Sequence, residues 1–303
     1  MQGERILIVG LAREGVSLAR YFAHRGARVT VTDSATVEAR VEEIEALQGL
    51  RVEFLLGTDG RSAVIGAERV FVSPGVPESS PAYVAARDRG LTVESMTTLF
   101  FDLCPAPILG VTGSSGKTTT TGLIGHIVRE AGQPVAVGGN IGDPMLDLLP
   151  QLTEDSLAVL ELSSFQLNLL RRSPRIAVIT NISPNHLDRH GTMERYVGAK
   201  RHIVEHQSRG DVAVLNAADR AVALMAKATP ADAWWFNSGS ERGAFLDGEV
   251  LTIRAEGGAT LPVLCRSEIP LLGAHNVENV LAAIAATHVL GVAPETMARA
   301  IRT

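Results

Sequence analysis

The sequence predicts an α/β protein made of two successive units. A Rossmann-like N-terminal unit covers residues 1–104, and a P-loop-type α/β unit covers residues 105–303. Three observations carry this expectation. Short apolar runs alternate with amphipathic stretches of helical length, the pattern of parallel strands joined by crossover helices. The alternation halts at Cys104-Pro-Ala-Pro107, a linker whose prolines disfavour helix, and then begins again. A length of 303 residues also suffices for two cores at roughly 100 to 200 residues per domain.

In the first unit, strands are expected at Arg5–Val9, Arg28–Thr32, Val52–Leu56 and Arg69–Val72, with helices at Gly15–His24 and Val37–Leu47. The second unit opens with a strand at Ile108–Thr112, a glycine-rich turn, and a helix from Lys117 to Ala131. Further strands are expected at Leu157–Leu162, Ile176–Ile179 and Val212–Leu215, and further helices at Met193–Gln207 and Val277–Leu290. Trp234–Leu264 is richer in glycine and short β-like runs, which predicts a small antiparallel excursion. No repeat of about 20 to 50 residues and no low-complexity tract interrupts this order.

Composition narrows the partners. With 46% hydrophobic and 20% charged residues the chain is too apolar for intrinsic disorder. A net charge of −5 is too mildly acidic to suggest nucleic acid or an anionic membrane as the main partner. Two cysteines, Cys104 and Cys265, give no disulfide framework and point to a reducing compartment, the cytoplasm. The apolar run Ile6–Ala12 is preceded by Glu4 and Arg5 and followed by Arg13 and Glu14, unlike a secretory signal. No apolar stretch reaches a membrane-spanning length of about 18 to 20 residues, since even Val280–Ala293 carries His288 and Gly291.

Gly10-Leu-Ala12-Arg-Glu-Gly15 follows a strand and opens a helix, and Asp33 ends the next strand, as in dinucleotide-binding units. Ala12 stands where the middle glycine would admit a pyrophosphate, which argues against an NAD-type cofactor. The helix start at Gly10 can still attract another phosphate-bearing ligand. A second turn, Ser73-Pro74-Gly75, also follows a strand directly, where ligands of open α/β sheets sit. Two tight connections without a ligand would look the same.

Gly110-Val-Thr-Gly113-Ser114-Ser115-Gly116-Lys117-Thr118-Thr119 carries the strongest chemical signal. Its glycines let backbone N–H groups curl around phosphates, Lys117 can reach the β- and γ-phosphates, and Thr118 can ligate Mg²⁺. The leading glycine is displaced by one residue from the common spacing, but the strand before and the helix after supply the required setting. Glu161 ends an apolar strand and can hold the metal, although such an acid alone is more often a cap or a solvated strand end. Asn181-Ile-Ser-Pro-Asn185-His186-Leu-Asp188-Arg189-His190 crowds polar groups just past another strand, which favours His186 as a metal contact over a plain loop histidine. Of 28 basic residues only Lys117, Lys200 and Lys227 are lysine. A chain that uses arginine nearly everywhere keeps Lys200 either as an exposed helix residue or because an amine can be deprotonated and modified. Lys227 has no comparable setting.

Taken together, these stretches resemble the Mur ligase family, and within it the D-glutamate-adding branch. The residues that carry the resemblance are Ser73-Pro-Gly75, Gly113–Thr119, Gly138-Gly-Asn140-Ile-Gly142, Glu161–Leu167, Asn181–His190, Tyr196–Lys200 and His275-Asn276-Val-Glu-Asn279. They span almost the whole chain in the family's order. The resemblance implies an ATP-dependent, ADP-forming ligase of cell-wall peptidoglycan synthesis that joins D-glutamate to UDP-N-acetylmuramoyl-L-alanine through an acyl phosphate, working as a monomer. It further implies that Thr118 and Glu161 hold one Mg²⁺, while Glu161, His186 and a carbamylated Lys200 organise a second. Asn140 and Ser163 would lie near the sugar-peptide substrate, Asn276 and Asn279 near the nucleotide, and Ser73, with Gly10, Pro74 and Gly75, in the uridine-diphosphate region.

Three departures accompany the resemblance. Ser115 stands where the family often has asparagine, and Arg13 and Glu14 put charges into the uracil-side turn. The family continues past this point with an arginine-bearing linker and a third Rossmann-like domain that supplies most D-glutamate contacts, so a chain ending at Thr303 is expected to bind substrates and ligate poorly alone. The competing expectations are a non-catalytic module that binds nucleotide or UDP-substrate, and another Mur-type amide ligase.

Overall fold

The computed structural model describes every residue from Met1 to Thr303. The chain divides into two compact units: Met1–Leu103 with Pro144–Leu149, and Cys104–Asp143 with Pro150–Thr303. Each is built on its own sheet.

The first sheet contains β1 (Arg5–Val9), β2 (Arg28–Asp33), β3 (Val52–Leu56), β4 (Arg69–Val72) and β5 (Val93–Glu94). They run parallel in the order β3-β2-β1-β4-β5. Ile6, Leu7, Ile8 and Val9 of β1 are all buried, as expected of a central strand covered on both faces. The helix Arg13–His24 packs Leu18, Ala19 and Phe22 inward, and the Phe22 ring meets Phe71 of β4 with centroids 4.9 Å apart. The predicted helix over residues 37–47 is broken. A 3₁₀ turn at Glu38–Arg40 precedes a short helix at Val41–Glu45, and neither buries a residue, so no apolar face holds one continuous helix together. The helices Pro81–Asp88 and Met96–Leu103 complete the unit.

The second sheet has nine strands: β6 (Ile108–Thr112), β7 (Val135–Gly139), β8 (Leu157–Glu161), β9 (Ile176–Ile179), β10 (Val212–Asn216), β11 (Asp232–Phe236), β12 (Gly243–Asp247), β13 (Val250–Arg254) and β14 (Thr260–Cys265). Their order is β14-β13-β12-β11-β10-β9-β6-β8-β7. The segment expected as an antiparallel excursion is the sheet's own edge. Strand β11 pairs parallel with β10 and β12, and only β12-β13-β14 is antiparallel. Beside the sheet, the helix Lys117–Glu130 packs against Ala274–Val289, which buries every residue from Asn279 to Thr287. The alanines at 282, 283, 285 and 286 allow such close approach on all sides. No helix is long and apolar enough to cross a membrane.

Ile127 is fully buried between these helices and the sheet. Ile127→Ala is expected to lower unfolding free energy by about 2–5 kcal/mol, read from the denaturant midpoint of the second unit's transition.

Candidate functional site

Strand order in the first unit reverses direction between β1 and β4, the place where open parallel sheets bind ligands beyond their strand ends. A crevice of about 400 Å³ opens there, lined by Gly10, Asp33, Arg40, Thr58, Asp59 and Ser73 among others. Gly10 has φ +98, and an added Cβ would stand 2.9 Å from that of Ser73, so no side chain fits this turn. Ser73 Oγ donates to the Gly10 carbonyl at 2.9 Å, which ties the two predicted turns together. Asp33 accepts from Leu11 N–H at 2.7 Å and Ala35 N–H at 2.8 Å, and Arg40 pairs with it at 3.3 Å. Pro74 belongs to the same Ser73-Pro74-Gly75 turn, and Gly75 lines the crevice. Arg40, Thr58 and Asp59 had no motif to mark them, because they come from the broken helix and a loop.

In the second unit, β6 delivers the chain into Gly113–Gly116, and the helix beginning at Lys117 carries it away. Gly116 adopts φ +78, and a Cβ there would collide with the Asn279 side chain. The loop is held from the neighbouring β9 end. Asn181 Oδ1 accepts from Ser115 N–H at 3.0 Å and Oγ at 3.1 Å, and Thr180 Oγ1 donates to the Ser115 carbonyl at 2.6 Å. Ser114 Oγ lies 2.9 Å from the Tyr196 hydroxyl and accepts from Ser183 N–H at 2.9 Å.

Glu161, 1% exposed, is the centre of this region. Thr118 Oγ1 donates to its Oε2 at 2.7 Å, and Asn140 Nδ2 donates to its Oε1 at 2.7 Å. Lys117 Nζ bends back onto the carbonyls of Gly113 at 3.1 Å and Ser114 at 3.3 Å. Burial lowers the Lys117 pKa, while Glu161 pulls it upward. Lys200, on the helix Met193–Glu205, donates to the Gly113 carbonyl at 2.8 Å and is 1% exposed. Burial first and the Lys117 charge second push Lys200 down to about 7, against the attraction of Glu161. An oxygen set of one buried carboxylate and a threonine hydroxyl beside a phosphate-type loop suits a hard cation such as Mg²⁺.

His186 sits apart from that cluster. Its backbone is left-handed, φ 51, its side chain is exposed, and its ring lies edge-on to Phe165 with centroids 5.4 Å apart. No hydrogen bond or ion pair joins it to Glu161 or Lys200. Phe165 also stacks on His190, whose Nε2 lies 2.9 Å from Ser164 Oγ. Ser163 spends its hydroxyl on a helix cap, accepting from Gln166 N–H at 3.3 Å, while Gln166 Oε1 accepts from Ser163 N–H at 2.9 Å. On the other side of the loop, a small cavity of about 150 Å³ is lined by Ser115, Gly116, Asn181, His275, Glu278 and Asn279 among others. Asn276 Oδ1 accepts from Asn279 Nδ2 at 3.0 Å, and Asn276 Nδ2 donates to the Leu272 carbonyl at 2.7 Å. The i, i+3, i+4 spacing of His275, Glu278 and Asn279 marks one helix face and could have drawn attention to the first two. Asp219, which accepts from Ile182 N–H at 2.6 Å and steadies the loop after β9, had no sequence signal.

Comparison with known proteins is decisive for the family. Residues 111–287 match the model of the Mur ligase middle domain, and residues 4–95 match the Mur ligase MurD-like N-terminal domain. The chain belongs to the Mur ligase family. Among curated relatives, UDP-N-acetylmuramoylalanine–D-glutamate ligase of Acidobacterium capsulatum is 44% identical over 308 residues, covering all of this chain and 66% of the relative. The ligase of the same name from Symbiobacterium thermophilum is 43% identical, covering 99% of this chain and 66% of the relative. This Mur ligase chain therefore spans just under two thirds of the length of these relatives. Its fold is shared by UDP-N-acetylmuramate:L-alanyl-gamma-D-glutamyl-meso-diaminopimelate ligase of Neisseria meningitides, with TM-score 0.67, 19% identity, and coverage of 99% of this chain and 98% of that one. UDP-N-acetylmuramate–alanine ligase of Thermotoga maritima aligns with TM-score 0.59 and 21% identity over 98% of this chain and 68% of that one.

The depressed Lys200 pKa has a stability consequence. Between about 7 and lysine's ordinary 10.5 the unfolded chain binds more protons at this residue, so stability rises with pH across that window. In CO₂-depleted buffer, denaturant midpoints should climb with pH there, and Lys200→Met should flatten the slope and raise the midpoint at pH 7.

Proposed function

We propose that this Mur ligase chain carries the UDP-substrate and ATP sites of an ADP-forming ligase that joins D-glutamate to UDP-N-acetylmuramoyl-L-alanine. The observation that bears most weight is the buried Glu161 carboxylate, bonded to Thr118 at 2.7 Å and facing a glycine loop that carries Lys117. The name of the relatives that are 44% and 43% identical selects the substrates. In this reading Gly10, Ser73, Pro74 and Gly75 receive the uridine diphosphate, and Asn140 and Ser163 face the sugar-peptide. Gly113 through Thr119 cradle the ATP phosphates, with Asn276 and Asn279 on the nucleotide side.

The terminal carboxylate of the UDP-substrate attacks the γ-phosphorus of ATP, the bond to the ADP oxygen breaks, and an acyl phosphate forms. The amine of D-glutamate then attacks the acyl carbon, and the tetrahedral intermediate expels phosphate as the nitrogen loses its proton. Lys117 leaves the Gly113 and Ser114 carbonyls for the β- and γ-phosphate oxygens and offsets charge that builds in transfer. The loop N–H groups orient the triphosphate, which lowers the entropic cost of in-line attack. Mg²⁺ held by Thr118 and Glu161 would neutralise phosphate charge, and a second ion between Glu161 and a carbamylated Lys200 would require the exposed His186 to turn inward from its ring contact with Phe165. Lys200 reaches the carbamate when its neutral amine adds to CO₂ and releases a proton. Its burial against the neutral Gly113 and Thr112 oxygens, in a chain nearly devoid of lysine, supports that modification.

Displacement of a fluorescent ATP analogue tests the nucleotide site. Lys117→Met should weaken ATP roughly ten- to hundredfold, equivalent to about 1.5–3 kcal/mol for a charged hydrogen bond. Glu161→Gln should remove the Mg²⁺-dependent part of affinity, and unchanged binding in both variants would refute the site. Calorimetry with UDP-N-acetylmuramoyl-L-alanine should give binding that the unsubstituted UDP-N-acetylmuramate does not match. For the carbamate, ¹³C-bicarbonate should produce a carbamate carbon resonance in the wild type that Lys200→Arg lacks.

A further inference from the structure

We propose that the C-terminal end of the helix Met193–Glu205 holds a zinc-class transition-metal ion between His202, Glu205 and His206. One ligating atom from each side chain already lies within 4.8 Å of the other two. Donors around a four-coordinate zinc stand about 3.4 Å apart, so side-chain rotation closes the set without moving the backbone. Spacing of i, i+3 and i+4 stacks the three groups over one turn, and the imidazoles of His202 and His206 lie nearly parallel, 23° apart, at 6.0 Å between centroids.

Three further observations point to a cation here. His202 Nδ1 is shielded from solvent and lacks a hydrogen bond of ordinary geometry, yet it faces Glu205 Oε2 at 3.3 Å. A buried polar atom left unmatched is costly, and a metal bond would satisfy it. The helix also ends at this point, where its dipole favours positive charge. Finally, the backbone is pinned on both sides. Ser173 Oγ donates to the His202 carbonyl at 3.0 Å and accepts from His206 N–H at 2.9 Å, and Gln207 donates to the carbonyls of Pro174 at 3.2 Å and Val212 at 2.9 Å. Arg201 holds the other Glu205 oxygen at 3.0 Å and fixes that carboxylate in place. Two imidazoles and one carboxylate are a borderline donor set that suits Zn²⁺, Co²⁺ or Ni²⁺ rather than Mg²⁺, with water as the fourth ligand. Lys200 points away from this turn toward Gly113, so the metal pins the end of the helix without entering the phosphate-loop cluster.

The site is tested by titrating the 303-residue protein with Zn²⁺ against a chromophoric chelator in excess Mg²⁺, which occupies oxygen-rich sites. One Zn²⁺ per chain is expected, with His202→Asn and His206→Asn each weakening it at least about tenfold and the double variant abolishing it. Circular dichroism of the metal-free variants confirms that they fold. On the wild type alone, Zn²⁺ should shift the His202 and His206 imidazole resonances in NMR spectra. Equal Zn²⁺ binding by wild type and the double variant, or no shift of these two resonances, would overturn the proposal.

Discussion

Burying a carboxylate beside two lysines imposes a severe constraint, because each charge loses hydration that only its neighbours can replace. Glu161 meets it with two short hydrogen bonds, one from Thr118 in the helix after the phosphate-type loop and one from Asn140 after β7. These bonds link the ends of three adjacent strands, β6, β7 and β8. The loop geometry follows from the same point. Lys117 and Lys200 both converge on the Gly113 carbonyl, and their mutual repulsion is tolerated because Glu161 lies close enough to offset it.

The second layer of support comes from β9. Thr180 and Asn181 clasp Ser115, Asn216 of β10 donates to the Thr180 carbonyl at 2.8 Å, and Asp219 receives the next N–H of the β9 loop. Strand ends that are neighbours in the sheet thus brace one another through side-chain amides and carboxylates. Such a lattice holds the glycine loop in shape, and little reorganisation remains to be done when an anion arrives.

Periodicity made the sheet core legible. Strands β1, β6, β8, β9 and β10 are short apolar runs buried on both faces, so composition alone marks them. Lys117, Thr118 and Glu161 were legible as chemistry for a related reason: polar groups directly after such runs must lie at strand ends. The Val37–Leu47 helix misled because Leu47 is the only residue of that stretch to be buried, too little apolar contact to hold one continuous helix. The antiparallel β12–β14 part of Trp234–Leu264 was legible as short β-like runs. The parallel pairing of β11 with β10, which joins that part to the large sheet, was not, because pairing between strands separated by other elements leaves no local trace. Asp219 and Arg40 escaped notice for that reason too, since their roles depend on partners 37 and 7 residues away in sequence that meet only in the folded chain.

The two lysines also make the loop responsive to what it holds. Lys117 bonds its ammonium to the backbone carbonyls of Gly113 and Ser114, neutral acceptors that a charged phosphate oxygen would outcompete. An anion drawn into the loop adds negative charge beside Lys117, and the same anion opposes the repulsion that Lys200 feels from that ammonium. Any phosphate bound there would be coupled to the protonation of Lys200, each shifting the other by the same free energy. Negative charge placed beside Lys117 would therefore favour the charged Lys200 ammonium over its neutral amine.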